Sequence, residues 1–248
     1  MKNYTLEVCA DSVESVLAAE SGGATRIELC QNLVIGGTTP DASLFKEIRR
    51  YSDICIHILI RPRYGDFLYS DYEFDIMKDE IGMFRELGAQ GVVIGMLRPD
   101  GHLDLERMAG LKEAAGDMSV TLHRAFDVCA DPMEAMEQAI ELGINTILTS
   151  GQKECCTQGA DLLAELQEKS QGRIVIQAGA GVDAEAVKIL YPKTGIQAYH
   201  MSGKKVLDSA MKYRKEGVSM GLPSISEYEL MRTDEAKVRE VKELLERL

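Results

Sequence analysis

Leu6-Glu7-Val8-Cys9 is echoed by Ile27-Glu28-Leu29-Cys30, so a carboxylate and a thiol recur at alternate positions of two apolar runs. A carboxylate can take up and release protons or bind a hard cation, whereas a thiolate is a nucleophile or a soft-metal ligand. The same alternation places His57 and Arg61 in CIHILIRP, His123 in SVTLHRAFD, Gln177 in RIVIQAGAG and His200 in AYHMSGK. Three of the chain's 4 histidines therefore share apolar runs with carboxylates or a guanidinium. Glu7, Glu28 and His123 are the acid–base candidates, with Arg61 and Arg124 as clamps for an anion.

Residues 5–10, 25–30, 55–62, 91–97, 119–127, 146–151, 173–181 and 198–204 read as strands, separated by amphipathic stretches such as EFDIMKDEIGMFRELG and MEAMEQAIELG. Several of those stretches end in Gly, and Asp131-Pro132 reads as an N-cap followed by proline at the first helical position. Eight βα units over about 200 residues fit a (β/α)8 TIM barrel better than an open doubly wound sheet. No G-x-G-x-x-G fingerprint or P-loop follows any strand. The expected organisation is a single domain, with a barrel over about 4–216 and a C-terminal loop and extension helix over 217–248. The eighth unit is the weakest, since 206–217 makes only a short helix. A peripheral helix, capped by Thr233 or Asp234, is expected after it.

Strand side chains alternate between the helix layer and the barrel interior. Leu6, Val8, Ile27, Leu29, Ile56, Ile58, Val120 and Leu122 form the apolar parity, which must face the helices. The interior then receives Glu7, Glu28, His57, Arg61, His123, Gln177 and His200 instead of the branched apolar filling a structural barrel uses. Two carboxylates about 5 Å apart repel by roughly 3 kcal/mol at an effective dielectric near 20, and each costs several more to desolvate. An arginine partner (Arg26, Arg61 or Arg124), a shared proton, or a bound cation or ligand must offset this. A hard divalent ion held by Glu7, Glu28 and His123 is one such arrangement. An internal ion-pair network without chemistry is another.

Active sites of such barrels lie at the C-terminal ends of the strands, with phosphate often bound after strands seven and eight. Gly179 and Gly181 follow strand seven, and Ser202 and Gly203 follow strand eight. These four are candidates for an anion or phosphate site, and plain strand-to-helix turns explain the glycines equally well. The expected ligand on this reading is a small phosphate or carboxylate, and the reaction an isomerase or lyase step.

The formal net charge of −12 argues against a nucleic-acid partner. No apolar run approaches the roughly 20 residues of a membrane helix, and MKNYTLEVCADS carries no signal-like apolar segment. Six cysteines spread through such a chain read as free thiols of a cytoplasmic protein.

LEVCADS, RIELCQNLVIGGTTP, HILIRPRYGDFLYS, GVVIGMLRPDGHLD, TLHRAFDVCADP, ILTSGQ and YHMSGK together resemble the CutC copper homeostasis family. The resemblance covers about 4–205 and extends into GLPSISEYE. It implies a cytoplasmic (β/α)8 barrel, a homo-oligomer (dimer or tetramer), and copper as Cu(I) for a ligand. It also implies Cys9 and Cys30 as the metal-binding residues. Soft thiolates suit Cu(I), and adjacent strands about 4.8 Å apart could bring two thiols to one ion if they sat at matching heights. Copper binding through Cys9 and Cys30 at the barrel mouth is therefore the first expected function, and a barrel enzyme of lyase or isomerase type acting on a small phosphate or carboxylate is the alternative.

Overall fold

The computed structural model describes residues 4–218, 220–221 and 225–248. Eight parallel strands close into a barrel in chain order: β1 (Thr5–Ala10), β2 (Arg26–Leu29), β3 (Ile56–Leu59), β4 (Gly91–Ile94), β5 (Ser119–Leu122), β6 (Thr146–Thr149), β7 (Val175–Ala178) and β8 (Ala198–Met201). Between them run α1 (Val13–Gly22), α2 (Ala42–Ile48), α3 (Asp71–Glu86), α4 (Leu105–Ala115), α5 (Pro132–Glu141), α6 (Ala160–Ser170) and α7 (Ala184–Thr194). This is the (β/α)8 architecture that the alternating pattern requires.

The helices start where the sequence supplies caps. Ser70 and Glu73 form a reciprocal capping box at α3, and Asp131 accepts from the backbone N–H groups of Met133 and Glu134 beside Pro132. The apolar parity faces the helices as expected: Leu6, Val8, Ile27, Leu29, Ile56, Ile58, Val120 and Leu122 are all fully buried. Strand β5 is shorter than the sequence suggests, because residues 124–128 wind into a 3-10 turn immediately after His123.

The eighth unit corrects the sequence reading. In place of a short helix over 206–217, β9 (Lys204–Asp208) pairs antiparallel with β10 (Glu229–Thr233) in a separate two-stranded ribbon. The expected loop over 217–226 falls partly outside the described residues. Helix α8 (Glu235–Leu245), capped by Asp234, then lies against α1 and α7 and buries Val238, Val241 and Leu245. The expected C-terminal helix is thus packed on the barrel, where it fills the place of the eighth barrel helix. Gly22 permits this approach, since a β-carbon there would stand 2.7 Å from Val238 Cβ. No helix among the described residues is long and apolar enough to cross a membrane.

Candidate functional site

Closure of the barrel builds the centre of the site. Strands β1 and β8 meet in a register that sets Glu7 opposite His200, and β1 meets β2 with Glu7 opposite Arg26. Glu7 is fully buried and fully engaged. Its Oε2 accepts from Arg26 Nε at 2.5 Å, while Oε1 accepts from Gln177 Nε2 at 3.0 Å and lies 2.8 Å from His200 Nδ1. Burial alone would raise the pKa of Glu7, but the Arg26 guanidinium and the His200 imidazole outweigh it and hold the carboxyl well below the usual range. Burial likewise opposes charge on His200, yet Glu28, Cys9 and the hydrogen bond to Glu7 raise its pKa well above the ordinary value. The pair is carboxylate and imidazolium.

Glu28 is the opposite case. It is 7% exposed, and its Oε2 makes no hydrogen bond. Burial, reinforced by the neighbouring Glu7 charge, lifts its pKa to about 7 despite the pull of His200 and Arg26. Two glutamates in one interior have thus been driven apart, one locked as an anion and the other poised to exchange a proton near neutrality.

Glu28 and His200 line a cavity of about 590 Å³ at the C-terminal ends of the strands, together with Cys9, Arg61, His123 and Arg232. Arg61, 9% exposed, donates from one terminal nitrogen to the carbonyls of Gly36 and Gly37 (3.1 Å each) and from the other to Gly65 (2.8 Å). Among the described residues no carboxylate pairs with it, and its Nε has no partner. The guanidinium lies over Phe67, whose ring also touches that of His123 at a centroid separation of 4.7 Å. A desolvated cation without a counter-ion is a standing attraction for an anion.

His123 Nδ1 accepts the backbone N–H of Ala125 at 3.1 Å. Burial and the Arg61 charge lower its pKa to about 3, so the ring is neutral and carries its hydrogen on Nε2, which is buried without a partner. Burial also lowers His57, to about 4. Both rings fit because glycine stands beside them, Gly91 in β4 and Gly95 just past its end. A β-carbon on Gly91 would stand 2.5 Å from the His57 ring, and one on Gly95 2.5 Å from His123 Cε1. Sequence reading passed over these two glycines, although they share the inward parity of the strand between the histidines.

The structure reassigns several expected roles. The acidic pair is joined by His200 rather than His123: Glu7, Glu28 and His200 have ligand atoms within 4.8 Å of one another. Gln177 and Arg26 already occupy Glu7, so a hard cation there would have to displace them. Arg124 is committed to Asp127 at 2.7 Å, and Asp127 also accepts from Thr149 Oγ1 and the Ser150 backbone, forming a brace at the rim. Of the anion-loop candidates, Gly181 and Ser202 line the cavity, as does Ala180. Gly179 instead backs onto Leu148, and Gly203 lies beneath Val238 of α8. Strand β8 runs on to β9, and the helix N-terminus beside Gly203, that of α8, is already capped by the Asp234 carboxylate, which accepts from Ala236 N–H.

The two motif cysteines do not stand at matching heights. Cys9 is in register with Glu28, whereas Cys30 lies one inward step farther, just past the end of β2. Cys9 lines the cavity and contacts His200. Cys30 is sealed in a small apolar cluster with Leu59 and Val93, and its thiol pKa is raised well above normal by burial and then by Cys9 and Glu28. Cys129 lies outside the cavity lining, and burial pushes its thiol up to about 11.

Fold and site together define a (β/α)8 barrel with a polar, solvent-reachable mouth. The CutC family model matches residues 4–205, and the chain belongs to the CutC family. It is 49% identical over 234 residues to a family protein CutC of Bacteroides thetaiotaomicron, covering 92% of this chain and 93% of that protein. Likeness to the human copper homeostasis protein cutC homolog is 43% over 237 residues, covering 95% and 87%. The crystal structure of a protein assigned as the copper homeostasis protein CutC from Streptococcus agalactiae superposes with a TM-score of 0.76 at 32% identity. That match covers 80% of this chain and 98% of the other.

Proposed function

We propose that the barrel mouth is an enzyme site that binds a small carboxylate or phosphate and moves a proton on it. One observation carries this reading: a cationic Arg61 without a counter-ion and a Glu28 whose Oε2 has no hydrogen-bond partner line the same cavity. Arg61 holds the anion, Glu28 gives or takes the proton, and the Glu7–His200 pair fixes the field around Glu28. Each of these groups costs stability where it stands, and a structural core has no use for that cost. Six free cysteines accord with a cytoplasmic setting.

A second reading follows the family name, with Cu(I) as ligand of Cys9 and Cys30. It is supported by the contact of Cys9 with His200 in the cavity wall, a sulfur and a nitrogen donor that suit a soft ion. Cys30 would then have to leave its apolar cluster to reach the same ion.

Two titrations separate the readings. Inorganic phosphate and a panel of small carboxylates are screened for thermal stabilisation of wild type, Arg61→Lys and Cys9→Ser/Cys30→Ser. Cu(I) is titrated anaerobically against a competing chelator on the same proteins. The enzyme reading predicts an anion shift that is lost in Arg61→Lys and retained in the double serine variant. Tight Cu(I) binding lost only in the serine variant, with no anion shift, would replace it by the copper reading.

A further inference from the structure

We propose that the ligand of this cavity is a small carbonyl compound bearing an anionic group, and that the reaction is enolisation, with His123 Nε2–H as the hydrogen-bond donor to the carbonyl oxygen. The inference rests on the anion-site reading and adds to it the reacting group and the reaction class.

The backbone of the turn after β5 makes the first argument. The N–H of Ala125 donates to His123 Nδ1 at 3.1 Å, so the ring hydrogen of the neutral imidazole is on Nε2. That Nε2–H is buried, and no protein group among the described residues accepts it. A ring so fixed cannot easily act as a base, because its free nitrogen is already used. It can act as a donor that waits for an acceptor. The surroundings hold it still: Gly95 leaves room for the ring on one side, and Phe67 packs against it on the other.

The second argument is the placement of the remaining unpaired groups. Arg61 and His123 lie just past the C-terminal ends of β3 and β5 and share Phe67, while Glu28 lies within β2, deeper in the barrel. A carbonyl oxygen taken by His123, with the anionic group beside it on Arg61, directs the adjacent carbon inward toward Glu28. The cavity, about 590 Å³, accepts only a small molecule. An oxygen acceptor, an anion and a transferable proton are what the three orphaned groups lack. A 2-oxo acid or a keto phosphate supplies all of them.

The step balances without a co-reactant. The carbon–hydrogen bond next to the carbonyl breaks and the proton passes to the Glu28 carboxylate. The bonding pair forms a carbon–carbon double bond, and the carbonyl π pair moves onto oxygen, where His123 Nε2–H stabilises the enolate. Return of a proton from Glu28 to the same carbon of the enolate restores the carbonyl compound with its hydrogen exchanged.

The test is deuterium incorporation from D2O into the carbon-bound hydrogens of pyruvate, 2-oxobutyrate and dihydroxyacetone phosphate, followed by proton NMR. Wild type, Glu28→Gln, His123→Asn and Arg61→Lys are compared, with thermal melts confirming that each is folded and reporting its anion shift. Incorporation into at least one probe is expected in wild type, at least 100-fold slower in Glu28→Gln and at least 10-fold slower in His123→Asn, with the anion shift retained in His123→Asn. An Arg61-dependent shift without incorporation, or incorporation equal in Glu28→Gln, overturns enolisation and leaves the anion site standing. The absence of any Arg61-dependent shift overturns both.

Discussion

Glu7 and His200 face each other across the seam where the first and last strands of the barrel meet, with His200 Nδ1 2.8 Å from Glu7 Oε1. The contact exists only once the barrel is closed, and it joins residues 193 positions apart in the chain. It consumes one glutamate as a permanent anion and so leaves the other, Glu28, under both desolvation and like-charge pressure. Burial is what raises the Glu28 carboxyl of the cavity, with the Glu7 charge adding to it and His200 opposing it.

Removing the charge of Glu28 should stabilise the protein, in a pH-dependent way. A carboxyl raised from 4.5 to about 7 in the folded state has its full stabilising effect below the unfolded value and loses it as pH climbs through 7. Glu28→Gln is expected to be more stable than wild type at pH 8 by about 3 kcal/mol, with the gap narrowing to about 1 kcal/mol at pH 5. Urea melts at the two pH values measure it, and equal gaps would contradict it.

Arg61→Lys should separate anion binding from folding. An ammonium cannot span the three carbonyls that the guanidinium fork holds, so a stability loss of about 1–3 kcal/mol is expected. Thermal stabilisation by phosphate or carboxylates should disappear in the same variant, although the formal charge is conserved. Full retention of the anion shift would show that Arg61 is not the clamp.

Gly95→Ala tests the seating of His123. The added methyl would meet His123 Cε1 at 2.5 Å and Ala125 Cβ at 2.9 Å, so the ring or the turn must move. The expected cost is about 1–3 kcal/mol, with the Ala125 N–H bond to Nδ1 broken. Loss of the Nδ1 hydrogen-bond signature in nitrogen-15 spectra checks the displacement.

Acid should weaken the fold before the surface carboxylates protonate. His57 and His123 are buried neutral with pKa lowered to about 4 and 3, so their contribution is complete above the unfolded value near 6.5 and is lost as pH falls toward the folded values. Relief of Glu28 offsets one of them, leaving a net loss of about 2 kcal/mol between pH 7 and 4.5. Denaturant midpoints across this range test it, and a constant midpoint would contradict it.

Much of this site could be read from the order of residues, because strand alternation is a local property. The inward set Glu7, Glu28, His57, Arg61, His123, Gln177 and His200 follows from the parity of the apolar partners, and seven of the eight βα units follow from periodicity and caps. What escaped was anything set by register between strands. The echo of LEVC in IELC invites the pairing of Cys9 with Cys30, but barrel shear pairs Cys9 with Glu28 instead. The partnership of Glu7 with His200 depends on closure, which no local pattern encodes. Residues 206–208 read as the start of a short helix, yet with 204–205 they form an exposed strand whose partner, β10, comes from a distance in the chain.

The central claim is that the barrel keeps one carboxyl, Glu28, at the edge of ionisation inside a cavity that draws an anion. Carbon-13 NMR of glutamate-labelled protein measures this directly, with Glu28→Gln identifying the side-chain carboxyl resonance across a pH titration. A midpoint near 7 that moves higher when phosphate or a carboxylate occupies the cavity is the predicted result. A midpoint at the ordinary value near 4.5, unmoved by anions, would contradict the account.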